Sequence, residues 1–258
     1  MLTIRPEQLA VFRAQALGAF EVTMVNHLAA FSPPLFKAVG EAALLQAVRL
    51  GIGRAAGYGF DLRGPVRLYL ELMLLLGSHF DTDPQYPWAA AILQDRETGP
   101  QMERAERLYR QTLDYQAHVG GPDDARALKA LRNIRGFAGT PVQFAPAALV
   151  PFMLDALAQV YPEKTAFVGE AALAELIRKA GLGARNMRFV TPRAMALVAV
   201  LMLAFGHGCG ADPLYPWITR TLKDETITDP EARAKRLEKR ALTWLDQVLV
   251  NLEKAAPT

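Results

Sequence analysis

Two short stretches hold the side chains best suited to chemistry: His79, Asp81 and Asp83 in GSHFDTDP, and His207, Cys209 and Asp212 in GHGCGADP. Imidazole, carboxylate and thiolate are the donor types of a zinc or related divalent centre. Neither stretch has the spacing of a zinc site, and when the two are laid over each other only Asp83 and Asp212 coincide. No metal site is therefore expected. Asp81 and Asp83 could instead act as paired carboxylates for acid–base work, but a turn-forming role explains Asp83 without chemistry. Nucleophilic catalysis has little to draw on, because the serines are Ser32, which precedes a proline, and Ser78, and Cys209 is the lone cysteine. His27 and His118 fall within helical patterns and read as helix residues. GIGRAAGYG lacks the preceding strand and the lysine of a phosphate loop. No cofactor is expected, and a non-enzymatic role is preferred over an enzyme using the Asp81/Asp83 turn.

The elements that carry these residues are repeated. Shifted by 129 positions, LMLLLGSHFDTDPQYPWAAAILQD (72–95) meets LMLAFGHGCGADPLYPWITRTLKD (201–224) without a gap, with 11 of 24 positions identical. Chance would give about two. The same shift superimposes VGEAAL at 39–44 on VGEAAL at 168–173, and Arg104, Ala105, Arg107 and Leu108 on Arg233, Ala234, Arg236 and Leu237. The chain therefore reads as two tandem copies of one unit, at 1–121 and 143–258. A linker at 122–142 joins them, with a short helix in ALKALRNI between the Gly120–Pro122 and Gly139–Pro141 breaks.

Each unit reads as all helical. Leu9, Phe12, Ala16, Phe20, Met24, Leu28 and Phe31 recur at the three-and-four spacing of an amphipathic helix. VGEAALLQAVRLGIGRAAGYG is a second helix, and GPVRLYLELMLLLG and TPRAMALVAVLMLAFG are a nearly all-apolar third. A charged amphipathic helix closes each unit. The expected fold is an all-α pseudo-two-fold pair, packed through the third helices or the glycine-bearing second helices. Asp83 or Asp212 reads as an N-cap with proline at N1, opening a short helix that carries Trp88 or Trp217 on its first turn. Asp81, Asp83, Tyr86, Trp88, Asp212, Tyr215 and Trp217 either set this turn and anchor a helix or form a recognition surface, with Tyr86 and Tyr215 the members expected to be exposed.

Composition narrows the classes of function. Apolar residues make up 51% of the chain and the net charge is only +3, so a packed core is expected and nucleic acid is not demanded. Arg233, Arg236 and Arg240, beside Lys235 and Lys239, form a basic stripe on the last helix; with Glu231 and Glu238 interspersed it reads as a solvated face before a nucleic-acid or anionic-membrane patch, with an acidic protein partner between the two. One cysteine excludes an intrachain disulfide and favours a cytoplasmic home. Arg5, Glu7 and Arg13 interrupt the continuous apolar run a signal peptide needs. The apolar runs fall short of the roughly 20 residues of a membrane span.

RLGIGRAAGYGF followed by VRLYLELMLLLGSHFDTDPQYPWA resembles a family of small helical proteins encoded beside the spike and tip proteins of bacterial type VI secretion systems. The resemblance covers the first 120 residues and rests mainly on Gly77, Phe80, Asp81, Asp83, Pro84, Pro87 and Trp88. The second copy departs from it, with Cys209 and Gly210 in place of Phe80 and Asp81. It implies a protein-binding adaptor or chaperone for a secreted effector or spike component. An immunity protein that neutralises a cognate toxin is the alternative.

Overall fold

A computed structural model describes residues 5–95, 97 and 99–255, and the described chain is all helical. Thirteen α-helices follow in order: α1 (Pro6–Phe31), α2 (Pro33–Val39), α3 (Glu41–Gly57), α4 (Arg63–Leu76), α5 (Pro87–Gln94), α6 (Gln101–Tyr115), α7 (Ala125–Phe137), α8 (Leu149–Val160), α9 (Pro162–Val168), α10 (Glu170–Asn186), α11 (Pro192–Phe205), α12 (Pro216–Leu222) and α13 (Pro230–Ala255). Short 3-10 turns at Phe80–Thr82 and Cys209–Ala211 follow α4 and α11. The expected unit boundaries at 1–4 and 256–258 lie outside the described residues. Among the described residues no helix is long and apolar enough to cross a membrane.

Punctuation in the sequence sets the helix ends. Pro33, Pro87, Pro162, Pro192 and Pro216 sit in first turns, where a missing N–H leaves no bond unmade. Thr191 caps α11 by accepting the Ala194 N–H, and Asp229 caps α13 by accepting from Glu231 and Ala232. Gly77 and Gly206 end α4 and α11 at φ 96° and 87°, a region in which side chains other than hydrogen are strained.

Two apolar clusters fill the interior. Leu28, Leu44, Val48, Tyr69, Met73, Phe80 and Leu108 centre the first, and Met153, Leu176, Ile177, Phe189, Ala199 and Leu237 the second. The clusters interlock, since Leu214, Tyr161 and Phe167 from the second half pack against the first cluster and Tyr215 touches both.

The first helix departs from its expected stripe. Met24, Val25 and Leu28 are buried and Phe20 packs on the core, but residues 7–17 are exposed throughout, including Leu9 and Phe12. Its first three turns thus project from the body. Of the two packing alternatives, it is the ends of the third helices, α4 and α11, that meet. The glycines of α3 and α10 serve their own halves: a Cβ at Gly51 would strike Leu70 and Met73 of α4, and one at Gly181 would strike Leu149 of α8. The halves meet at the turns that end α4 and α11, where a Cβ at Gly77 would lie 2.6 Å from the Phe205 carbonyl oxygen and one at Gly206 3.3 Å from that of Leu76.

Candidate functional site

The Asp-Pro-x-Tyr-Pro-Trp stretches lie at this junction. Asp83 is not the cap of a helix, because α5 starts at Pro87 with Tyr86 as its N-cap. It closes a tight turn by accepting the Gln85 N–H on Oδ1 at 2.9 Å and reaches across the junction with Oδ2 to the His207 N–H at 2.6 Å. Asp212 does the converse. Its Oδ1 accepts the Leu214 N–H at 2.9 Å and the Ser78 hydroxyl at 2.6 Å, while Oδ2 accepts the Ser78 N–H at 2.8 Å. Each carboxylate therefore ties down the chain just past the glycine that ends the opposite half's apolar helix. Both are buried, which makes these charge-assisted bonds costly to lose.

Asp81 is spent locally. Arg54 grips it with both Nε and Nη2, and the Tyr69 hydroxyl donates to Oδ2 at 2.8 Å. Burial, and next the Asp81 charge, raise the Tyr69 pKa well above its ordinary value, so the phenol stays a donor. At the positions 129 residues on, these three are Gly183, Gly210 and Val198. The second half thus lacks the whole network. With Asp81 held by Arg54, and Asp83 and Asp212 by backbone N–H groups, every carboxylate singled out in the sequence has its oxygens engaged by internal donors. Such groups are poorly placed to exchange protons with a substrate.

The aromatic members are also turned inward. Tyr86 is buried, contrary to the expected exposure, and packs edge-on to Tyr115 with ring centroids 5.5 Å apart. Tyr215 is half-buried against Phe205 at 4.5 Å. Trp88 leans on Tyr86 and Tyr115, and Trp217 on Phe205. An aromatic ring following a tight turn suits a helix anchor as well as a docking surface, so pattern alone could not place them. Cys209 is buried, and burial, then Asp212 and Asp83, lift its thiol pKa to about 12, leaving it protonated and unreactive. His79 lies against Gly208 with its ring 6.1 Å from that of His207. Burial, then the Arg54 charge, lowers its pKa. Among the described residues, no three His, Cys, Asp or Glu side chains gather as metal ligands.

Sequence reasoning missed Lys164. It is buried on α9, donates to the Leu203 carbonyl at 2.8 Å and lies 5.7 Å from the centre of the Tyr86 ring. Gln85 likewise donates to the Met202 carbonyl at 3.0 Å. Carbonyls in the last turn of a helix have no partner within it, and these two side chains supply partners for α11. At the 129-residue shift Lys164 stands in the place of Leu35, only four residues before the unchanged VGEAAL, so the pattern around it is that of the repeat. In the basic stripe of α13, Arg233 donates to the Ile227 carbonyl and Arg240 to the Thr221 hydroxyl, so two of its three arginines are bound internally.

Comparison with family models, curated proteins and solved structures finds no match to this chain.

Proposed function

We infer that the chain is two copies of one helical unit, at 1–121 and 143–258, arranged about a pseudo-two-fold axis that passes between Gly77 and Gly206. This rests on elements whose bounds differ by 129, such as Pro33–Val39 with Pro162–Val168 and Glu41–Gly57 with Glu170–Asn186. The reciprocal bonds from Asp83 to His207 N and from Asp212 to Ser78 N support it too. Such reciprocity is what a two-fold relation requires, with residue i meeting j and j meeting i.

The chain's function, on this reading, is protein binding, as a cytoplasmic adaptor or chaperone for a type VI secretion effector or spike component. One observation carries the binding class: α1 exposes large apolar side chains on both of its sides, Leu9 and Phe12 on one and Val11 and Val22 on the other. At 100° per residue Leu9, Phe12, Val22 and Val11 spread over an arc of about 160° of the helix surface, with Val11 and Val22 furthest from Leu9. Apolar helix faces left in water mark interaction sites. The carboxylates available for chemistry are, by contrast, engaged at the junction or, for Asp81, by Arg54 and Tyr69. The family resemblance supplies the class of partner.

Co-expression with effector and spike proteins, followed by purification on a tag carried by this chain, tests the reading. A stoichiometric complex is expected, and Val22→Glu is expected to weaken it at least about 30-fold at unchanged melting temperature, as loss of a central apolar contact does. No complex with any of them sinks the adaptor role. Rescue of growth from a co-expressed toxin would move the protein to the immunity class.

A further inference from the structure

We propose that the chain forms a two-fold dimer in which the projecting first three turns of α1 from each copy lie in the groove between α4 and α6 of the other. The proposal rests on the two-unit reading above, because the second half shows what the first half lacks. There, α7 folds back over α11 and α13, with Leu131, Ile134, Phe137 and Ala138 facing Leu197, Val200, Ala204 and Leu242 around an apolar cavity of about 80 Å³. Arg135 on α7 pairs with Asp246 on α13 at 2.7 Å, and Arg193 holds the end of α7 through the Ala138 and Thr140 carbonyls.

Among the described residues, nothing covers the corresponding groove in the first half. Leu75 and Leu113 stand 129 residues before Ala204 and Leu242, and Tyr109 before Glu238; all three are exposed, at 44%, 47% and 49%. Among the described residues, α1 does not cover this groove as α7 covers its counterpart in the second half. Gly139 and Pro141 break the chain between α7 and α8 and let α7 turn back, whereas α1 runs unbroken from Pro6 to Phe31 and carries its first turns away from the body. A helix that continues where its counterpart hinges is the geometry of segment exchange between identical chains.

The arm matches the groove in pattern as well as in length. Leu9, Phe12, Arg13 and Ala16 repeat the spacing of Leu131, Ile134, Arg135 and Ala138. Twelve residues, 6–17, make an arm of about 18 Å, close to the length of α7. In the place of Arg135, Arg13 needs an acidic partner, and exposed Asp114 lies on the C-terminal part of α6 that corresponds to the Asp246 region of α13. Val11 and Val22 face away from this contact and remain open to a different protein.

Sedimentation equilibrium of the full chain is expected to show a species of twice the 28.3 kDa chain mass. Phe12→Glu and Leu113→Glu are each expected to raise the dimer dissociation constant at least about 30-fold at unchanged helix content. A chain carrying both Phe12→Cys and Leu113→Cys is expected to cross-link between chains on mild oxidation, with buried Cys209 taking no part. A monomer at every concentration, a dimer indifferent to both glutamates, or a cross-link within one chain overturns the proposal. A dimer that captures no effector would leave it standing and remove the adaptor role alone.

Discussion

At the scale of the residue, burial decides what each polar group does, and Lys164 shows it most clearly. Its amine has lost nearly all its water, and this desolvation lowers its pKa from 10.5 to about 8, with the Asp83 charge opposing the shift. A folded pKa below the unfolded one means that, between about pH 8 and 10.5, the unfolded chain binds a proton that the folded chain has released. Stability therefore rises with pH across that window. By pH 9.5 the gain over pH 7 should be about 2 kcal/mol. Above about pH 10 the buried tyrosines, whose pKa values folding raises, act in the opposite sense. Urea unfolding at pH 7, 8, 9 and 9.5 measures the slope, and Lys164→Met should flatten it and add about 1–2 kcal/mol at pH 7. An identical slope in the variant would show that Lys164 is not its source.

At the scale of the element, the chain reads plainly wherever one helix face and one cap determine the outcome. The three-and-four apolar spacing and the first-turn prolines gave the helical class, and the nearly all-apolar runs at 65–76 and 192–205 gave the two central helices. What stayed hidden was how elements meet. Leu9 and Phe12 continue the stripe of Met24 and Leu28 without interruption, so nothing in the pattern told that the body ends near Gly18. Asp83 before a proline suits an N-cap and a tight turn equally well, and only the His207 N–H across the junction, 124 positions later, distinguishes the two uses. Gly77 is a plain helix stop in sequence, yet its α-hydrogens face the backbone of α11. Gly77→Ala adds a methyl at φ 96° and within 2.6 Å of the Phe205 oxygen, and should cost at least about 3 kcal/mol. Denaturant titration measures the loss. Gly53→Ala is the control, since a Cβ there meets nothing within 4 Å and α3 should gain from the replacement.

At the scale of the whole molecule, the junction determines whether two cores behave as one. Leu214 of the second half is buried in the first cluster, Phe167 stacks edge-on to Tyr115 at 5.4 Å, and Tyr161 donates to the Val119 carbonyl at 2.9 Å. Asp83 and Asp212 each hold backbone in the opposite half, so separating the halves would exchange these charge-assisted bonds for bonds to water, at a cost of roughly 1.5–3 kcal/mol for each carboxylate. Against such a penalty neither half gains by unfolding alone, and unfolding should be a single cooperative transition although the chain exceeds the usual size for it. The tryptophans report on the two cores separately, Trp88 beside Tyr86 in the first and Trp217 and Trp244 around Phe205 in the second. A chain retaining Trp88 alone and a chain retaining Trp217 alone should therefore each give one urea transition, coincident with the helical signal of the same chain. Asp83→Ala breaks the junction from one side only, and should pull the two probes apart or lower the unfolding free energy reported by both together by about 2–3 kcal/mol. Transitions that are already separate before the junction is touched would show that the halves fold independently, and that the buried carboxylates orient them without coupling their stabilities.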